Sequence, residues 1–413
     1  MNNLFGSTNA LAKMKSGKEL IEALTILPEY DPEICNADIS MRLAALSDLY
    51  RIYIPSKMSL EIYSRLYLAM LRSLQKKGTK LAVKQKNQNY KAIIGQEYDG
   101  IMGGSDSFTI IGISGIGKSS AVSRAVTLIT NNQIIETEEP YNQIVPCITV
   151  QCPFDSSVKG LLLEILRKVD EVLETNYYQN TIRARATTDM LIGSVSQVAL
   201  NHIGMIIVDE IQNVVNSKNG KSLIGSLTQL INNSGISICM VGTPECVQFF
   251  EAAMQLARRS VGLRYTSPAY DDYFAGFCKT MYGYQYLKHR TEINDGIIEW
   301  LYEHSAGVIS VVVSLIHDAQ EIAILNGKEI LDLETLSEAY QQRLSLLHGY
   351  IKPISKQKSK YNKNVSFELS TVTNRESPLN TVTITELSER SKKEKRDIVE
   401  LLSEHFTVEV IKV

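Results

Sequence analysis

The spacing of apolar side chains changes twice along the chain. Residues 1–100 are expected to be mostly helical, because Leu60–Leu74 carries apolar residues at helical spacing between Pro55 and Gly78. From residue 108 the pattern switches to short apolar runs rich in branched residues, which are typical of buried strands. From residue 265 to 348 the strand pattern is lost and helical stretches return.

The middle of the chain predicts an α/β fold. Four strands are expected, at 108–113, 144–150, 205–208 and 236–241. Helices are expected to alternate with them, at 118–129, 158–173, 223–231 and 246–257. Strands that alternate with helices form a parallel sheet with helices on both faces.

Four parts of the chain follow from these patterns. A mostly helical N-terminal region at 1–100 precedes an α/β core at 101–264, a small helical lid at 265–348, and a basic linker and tail at 349–413. Five lysines lie between residues 352 and 363, and this composition is typical of a flexible segment.

Composition narrows the class of protein only slightly. The chain has 413 residues, with 43 basic and 45 acidic side chains and a formal net charge of −2, so any basic surface must be local. Six cysteines form no CxxC pair, no secretory signal is visible, and no run approaches the roughly 20 apolar residues of a membrane span. A cytoplasmic protein without a membrane partner is expected.

The strongest motif lies between the first strand and the helix after it. Gly112-Ile-Ser-Gly-Ile-Gly117-Lys118-Ser119 has the full spacing of a P-loop, whose glycines let backbone N–H groups approach a phosphate chain. A chance match is disfavoured by the strand before it and the helix after it. ATP and Mg²⁺ are the expected ligands. The residues expected to contact them are Gly112, Ser114, Gly115, Ile116, Gly117, Lys118, Ser119, Ser120 and Asp209.

Two carboxylates end the third predicted strand. Asp209 is expected to hold Mg²⁺ together with Ser119, and Glu210 is placed to polarise the attacking water. The alternative is a strand that ends in a solvated acidic turn, and the P-loop upstream disfavours it.

Three further residues are candidates for catalysis. Thr243 follows the fourth strand and is placed to orient water near the γ-phosphate, although a turn threonine before Pro244 has the same pattern. Arg258 or Arg259 follows a predicted helix, where an arginine can reach a nucleotide held by a neighbouring subunit, but such a pair taken alone is more often a solvated helix end.

Basic residues near the second strand are candidates for contact with a nucleic-acid backbone. They are Lys159, Arg167, Lys168, Arg183 and Arg185. Such contact needs a lined channel and no net positive charge. For each residue taken alone, an ordinary solvated helix face explains the pattern better.

The motifs occur in a characteristic order. The P-loop is followed by Ile-Ile-Val-Asp209-Glu210-Ile-Gln-Asn213, then Met-Val-Gly-Thr243-Pro-Glu245, then Gln255-Leu-Ala-Arg-Arg259. This order resembles the AAA+ ATPases of the TnsC/TniB family, which regulate transposition in heteromeric and CRISPR-associated transposons. The resemblance runs from about residue 50 to 345.

The resemblance implies an ATPase that assembles into rings or filaments on duplex DNA and links a TniQ-like target selector to transposase subunits. It makes Thr243 the sensor I residue and Arg259, or else Arg258, the arginine acting in trans. Both ends of the chain become candidates for partner binding. One departure is Ser310, which stands where many AAA+ lids carry the sensor II arginine, and this departure predicts slow hydrolysis.

A second class of protein shares the P-loop and the helical lid. STAND-type signalling ATPases switch with the bound nucleotide and carry C-terminal sensor repeats. Residues 352–413 are too few for such an array, which disfavours this alternative.

Overall fold

The computed structural model describes residues 11–77, 107–137, 142–215, 217–247 and 262–345, together with positions 84, 87, 88, 90, 91 and 250. Three predictions fall outside these residues. They concern the tail at 349–413, most of the helix at 246–257, and the arginine pair Arg258 and Arg259.

One sheet organises the described residues. Its strands are β1 (Phe108–Gly112), β2 (Ile135–Thr137), β3 (Asn142–Gln151), β4 (Ile203–Asp209), β5 (Ser237–Gly242) and β6 (Leu263–Tyr265). Their order is β2-β3-β4-β5-β1-β6. Neighbours are parallel except β2 and β3, which pair antiparallel. The prediction of a parallel sheet is confirmed for its centre, and the antiparallel edge was not predicted.

The helices are numbered here in chain order among the described residues. They are α1 (Gly17–Leu24), α2 (Ile39–Ala45), α3 (Lys57–Lys77), α4 (Lys118–Thr130), α5 (Val158–Leu173), α6 (Tyr177–Arg183), α7 (Thr188–His202), α8 (Gly220–Ser234), α9 (Asp272–Gly283), α10 (Asp295–Ser305), α11 (Ile309–Leu325) and α12 (Leu333–Arg343). Short 3₁₀ turns at Leu46–Arg51 and Ile211–Val214 bear on the site.

Several helix starts are set by local side-chain chemistry. Ser157, Asp271 and Asn294 each accept a hydrogen bond from a backbone N–H in the first turn of α5, α9 and α10. Asp332 and Thr335 form a reciprocal capping box at the start of α12. These residues satisfy N–H groups that the helix itself leaves without a partner.

The sheet is covered on both faces. Every residue of β1 and β5 is buried, as in a parallel strand that has helices above and below it. Helices α1, α3 and α4 form one core with the sheet, and α5, α7 and α8 form a second core on the other face. The prediction of helices on both faces is confirmed, and the carboxyl ends of β1, β4 and β5 meet at one edge.

The four helices α9 to α12, which lie in the predicted lid segment and are called the lid below, share a hydrophobic core of their own. Helices α9 to α12 supply most of it, with Phe274, Leu301 and Leu315 fully or almost fully buried. The 3₁₀ turn Leu46–Arg51 inserts two buried leucines into the same core. The N-terminal region is therefore shared between two cores, because α1 and α3 pack on the sheet while residues 46–52 pack in the lid.

A buried ion pair fastens the N-terminal region to the lid. Arg42, on α2, is only 1% exposed and donates to both carboxylate oxygens of Glu329, at 2.6 and 2.7 Å. It also donates to the carbonyl of Tyr286, at 3.1 Å. A bidentate arginine–carboxylate pair fixes the orientation of both side chains.

Among the described residues, no single helix is long and apolar enough to cross a membrane. Helices α10 and α11 reach that length and composition only as a pair, and they are bent by 117° relative to each other. Most of their apolar residues lie in the lid core.

Candidate nucleotide-binding site

The loop between β1 and α4 has a conformation that depends on glycine. Gly115 and Gly117 have φ angles of 80° and 91°, in the left-handed region that side chains disfavour. A Cβ atom at Gly115 would also lie 2.4 Å from Oγ of Ser310. The loop therefore packs directly against the start of lid helix α11, and a side chain at position 115 would push the two apart.

Lys118 turns its charge into this loop. The residue is 9% exposed, and its Nζ donates to the carbonyls of Gly112 at 2.7 Å and Ile113 at 2.8 Å. Burial lowers the pKa of Lys118, while the carboxylates of Asp209 and Glu210 act against that shift. The ammonium group thus lies inside the loop, close to two carboxylates.

Ser119 and Asp209 meet although they are 90 positions apart in the chain. Oγ of Ser119, in the first turn of α4, donates to Oδ2 of Asp209, at the end of β4, over 2.8 Å. A hydroxyl and a carboxylate are the oxygen donors that Mg²⁺ prefers. The donor set therefore fits the predicted magnesium ion.

Glu210 is held by its neighbours. It has a φ of 56°, and its N–H donates to Oδ1 of Asp209 over 2.8 Å. The side-chain amide of Gln212 donates to the Glu210 carboxylate. The amide oxygen of Gln212 accepts a hydrogen bond from the N–H of Thr243 at 3.3 Å. Gln212 therefore connects Glu210 to Thr243, a role that its place in the Asp-Glu-x-Gln pattern did not reveal.

A glycine makes room for this connection. A Cβ atom at Gly242 would lie 2.7 Å from Ile211 and 2.9 Å from Oε1 of Gln212. The carboxyl end of β5 therefore has to be glycine for Gln212 to reach between the two strands.

A polar cavity of about 230 Å³ brings most of the predicted residues together. Its lining includes the predicted residues Ser114, Gly115, Gly117, Lys118, Ser119, Ser120, Asp209, Glu210 and Thr243, and also Gln212, Gly242 and Ser310. The other two predicted loop residues do not line it. Gly112 offers its carbonyl to Lys118, and Ile116 faces a second cavity.

The second cavity, of about 270 Å³, adjoins the first and is more apolar. The two cavities share Gly115, Gly117, Ser120 and Ser310. The remaining walls come from residues 49–59, from α9 and from α11. A polar cavity beside an apolar one suits a ligand with a phosphate chain and a nucleoside. Sequence reasoning missed these walls, because they come from parts of the chain that are more than 200 residues apart.

Ser310 occupies a position between the lid and the loop. Its N–H donates to the carbonyl of Gly115 over 3.1 Å, and it lines both cavities. A serine brings no positive charge to phosphates. Among the described residues that line the polar cavity, Lys118 is the sole cation.

The candidate nucleic-acid contacts lie elsewhere. Lys159, Arg183 and Arg185 are exposed and line neither cavity. Arg167 pairs with Glu164 at 2.6 Å and also with Glu171, and Lys168 pairs with Glu171 at 3.3 Å. The last two basic residues are thus engaged by acids of their own helix.

The sheet, the glycine loop and the polar cavity together define a P-loop α/β fold with a candidate nucleotide-binding site. Residues 103–265, which hold most of the site, match the family model of the bacterial TniB protein. The resemblance drawn from the motifs is confirmed for this segment, and the match is shorter than the predicted range of about 50 to 345. No curated protein sequence matches the chain.

Two solved structures from Aeropyrum pernix are similar to this chain. One is the ORC1 protein in complex with DNA, with 15% identity, a TM-score of 0.40 and coverage of 63% of each chain. The other is the ORC2 protein in its ADP form, with 15% identity, a TM-score of 0.39 and coverage of 64% of this chain and 67% of that chain. The chain spans less than two thirds of the first structure.

Proposed function

We propose that this chain is an ATP-dependent, DNA-binding AAA+ regulator of DNA transposition. One observation carries the proposal. Lys118, Ser119, Asp209 and Glu210 converge on one polar cavity inside the segment that matches the TniB family. The free cysteines accord with action in the cytoplasm.

Six side chains of the cavity and the backbone of the loop are each assigned a task in hydrolysis. The backbone of the loop and Lys118 bind the phosphates, while Ser119 and Asp209 would hold Mg²⁺, which would supply charge neutralisation on the phosphate oxygens. Glu210 accepts a proton from the attacking water, and Thr243 orients that water. Gln212 keeps the Glu210 carboxylate in place.

The site of one subunit is short of positive charge. Phosphoryl transfer spreads negative charge over the γ-phosphate oxygens, and a second cation opposite the lysine strongly accelerates it. Lys118 is the sole cation among the described residues of the cavity. We therefore assign the missing charge to Arg259, or else Arg258, of a neighbouring subunit, so that assembly completes the site.

Assembly on DNA then becomes the functional state. The chain forms rings or filaments around duplex DNA when ATP is bound, and hydrolysis is slow and coupled to assembly. The assembly connects a TniQ-like target selector with transposase subunits. Residues 1–50 and the tail at 349–413 are the segments proposed to bind these partners.

Electron microscopy tests this function directly. With a non-hydrolysable ATP analogue and duplex DNA, we expect rings or filaments that enclose the DNA, and a nuclease-protected length that grows with the number of rings. Lys118→Ala should form none, because its loop lacks the charge that binds the phosphates. Wild-type monomers that stay off the DNA under these conditions would contradict the proposal.

Substitution of Gln212 tests its positioning role. We expect Gln212→Ala to lower kcat for ATP hydrolysis about tenfold with little change in KM, because a misplaced base lowers the rate without weakening substrate binding. Steady-state kinetics measure both constants. Gln229→Ala, on α8 outside both cavities, is the control. A higher KM with an unchanged kcat would instead make Gln212 a binding residue.

A further inference from the structure

The loop from β3 to α5 presents a large apolar side chain to solvent. Phe154 is 91% exposed, more than any other large hydrophobic residue among those described. Phenylalanine is usually buried. A single exposed aromatic side chain does not by itself indicate a binding surface. The hydrogen bonds of its loop and the charges of the nearby residues are therefore considered next.

The loop that carries Phe154 is held firmly. Asn213 donates from its side chain to the carbonyl of Cys152 at 2.8 Å, and Oγ of the buried Ser156 donates to the carbonyl of Asn213 at 3.1 Å. Ser217 and Asn219 both donate to the carbonyl of Asp155, at 2.7 and 3.2 Å. The exposure of Phe154 is therefore a fixed feature of a well-bonded loop.

Three lysines lie in the segments that follow this loop or are bonded to it. Lys159 lies in the first turn of α5, Lys218 lies between the two residues that bond Asp155, and Lys221 lies in the first turn of α8. All three are exposed, and none takes part in an ion pair among the described residues. Asp155, the exposed acid of this loop, accepts a hydrogen bond from the N–H of Ser157 at 3.0 Å.

We infer that Phe154, Lys159, Lys218 and Lys221 form a contact surface for duplex DNA, called here the Phe154 surface. The lysines contact phosphates, and Phe154 packs against base edges or between bases. Duplex DNA is a polyanion whose minor groove also accepts apolar side chains against base edges and between base steps, so charge and shape select the same partner. The inference rests on the proposed function, which needs a DNA partner, and it moves the main contact away from Arg183 and Arg185.

The Phe154 surface is joined to the nucleotide site. The N–H of Cys152 donates to the carbonyl of Asp209 at 2.8 Å, and Asn213 belongs to the turn that follows Glu210. A displacement of the loop would therefore be transmitted through these hydrogen bonds to Asp209 and Glu210. DNA bound at this surface is expected to change the rate of hydrolysis through these bonds.

DNA affinity measured against salt concentration tests the inference. The assay uses full-length protein, a fluorescein-labelled duplex and a non-hydrolysable ATP analogue. We expect Phe154→Ala to weaken binding about tenfold and Phe154→Trp, which keeps a large apolar side chain for the groove, to preserve it. In the triple variant Lys159→Gln/Lys218→Gln/Lys221→Gln, the slope of log K against log salt should fall by about 0.9 for each phosphate that no longer has a lysine partner.

Control variants remove exposed lysines and an exposed apolar side chain elsewhere. Lys18→Gln with Lys279→Gln removes two exposed lysines of α1 and α9, and Leu325→Ala trims an exposed side chain at the end of α11. These controls should bind as the wild type does. Basal ATP hydrolysis without DNA should be unchanged in Phe154→Ala, while the change in rate on addition of DNA should be lost.

The possible outcomes separate this inference from the proposed function. A wild-type chain that does not bind the duplex overturns both. Wild-type binding with unchanged affinity and salt slope in the variants overturns the Phe154 surface alone. If Phe154→Ala abolishes self-association without DNA and leaves DNA affinity intact, the surface meets a neighbouring subunit, and the inference is again overturned.

Discussion

Glu210→Gln should stop ATP hydrolysis while leaving ATP bound. The amide has nearly the same size as the carboxylate but does not accept a proton from water, so we expect the rate to fall by about 10²-fold or more. Lys118, Ser119 and Asp209 remain in place, so affinity for ATP should be retained. Phosphate release measures the rate, and nucleotide retained after gel filtration measures binding.

Glu210→Gln also tests whether bound ATP is sufficient for assembly on DNA. Because ATP stays in the site, Glu210→Gln should accumulate ATP-bound oligomers on DNA, whereas Lys118→Ala should lose both nucleotide and oligomers. Asp209→Asn is an informative companion, since it removes charge from the pair with Ser119. Hydrolysis at the wild-type rate in Glu210→Gln would refute the role of Glu210 as the base.

Arg42→Met should destabilise the protein by about 3–5 kcal/mol, because it leaves the buried carboxylate of Glu329 without its partner. Unfolding in urea measures the loss. In the double variant Arg42→Met/Glu329→Leu, no charge is stranded, so much of the stability should return. Lys15→Met, which breaks a solvent-exposed pair with Glu19, is the matched control and should cost little. A loss in Arg42→Met no larger than in this control would show that the ion pair does not fasten the lid.

The pH dependence of this effect has a definite sign. Hydrogen bonds from Arg42 hold the pKa of Glu329 below its ordinary value of 4.5. The stabilisation from a lowered carboxyl pKa is fully present above the unfolded value and is lost as pH falls through the folded one. The difference in unfolding free energy between wild type and Arg42→Met should therefore be constant near neutral pH and shrink below about pH 4.5. A difference that grows on acidification would contradict this assignment.

Local patterns in the sequence predicted the centre of the fold well. The helix at 158–173 matches α5 at both ends, because its apolar spacing and the capping Ser157 are local signals. Strands β2 and β6 escaped prediction, since three residues are too few to show a period. The short helix α6 and helices α7 and α9 were also missed.

The site was predictable where one motif supplies several residues. Gly112 to Ser120 and the pair Asp209–Glu210 each follow from a strand and its turn. Two features depend on contacts between segments that are distant in the sequence. They are the hydrogen bond between Gln212 and Thr243 and the apolar cavity beside the loop. Local sequence patterns do not predict such long-range contacts. The ion pair between Arg42 and Glu329, which are 287 positions apart, is another example.

The N-terminal region packs in both the sheet core and the lid core, and this limits which truncation variants are informative. Leu46 and Leu49 lie in the lid core, and Ile62 lies in the sheet core, so one short stretch is a structural part of both. A truncation that removes the first 50 residues to delete a partner site would also cut two leucines and Arg42 out of the lid. Partner binding at this end is therefore better probed with point substitutions at exposed positions of α1 and α2, such as Ile21 and Met41, than with deletions.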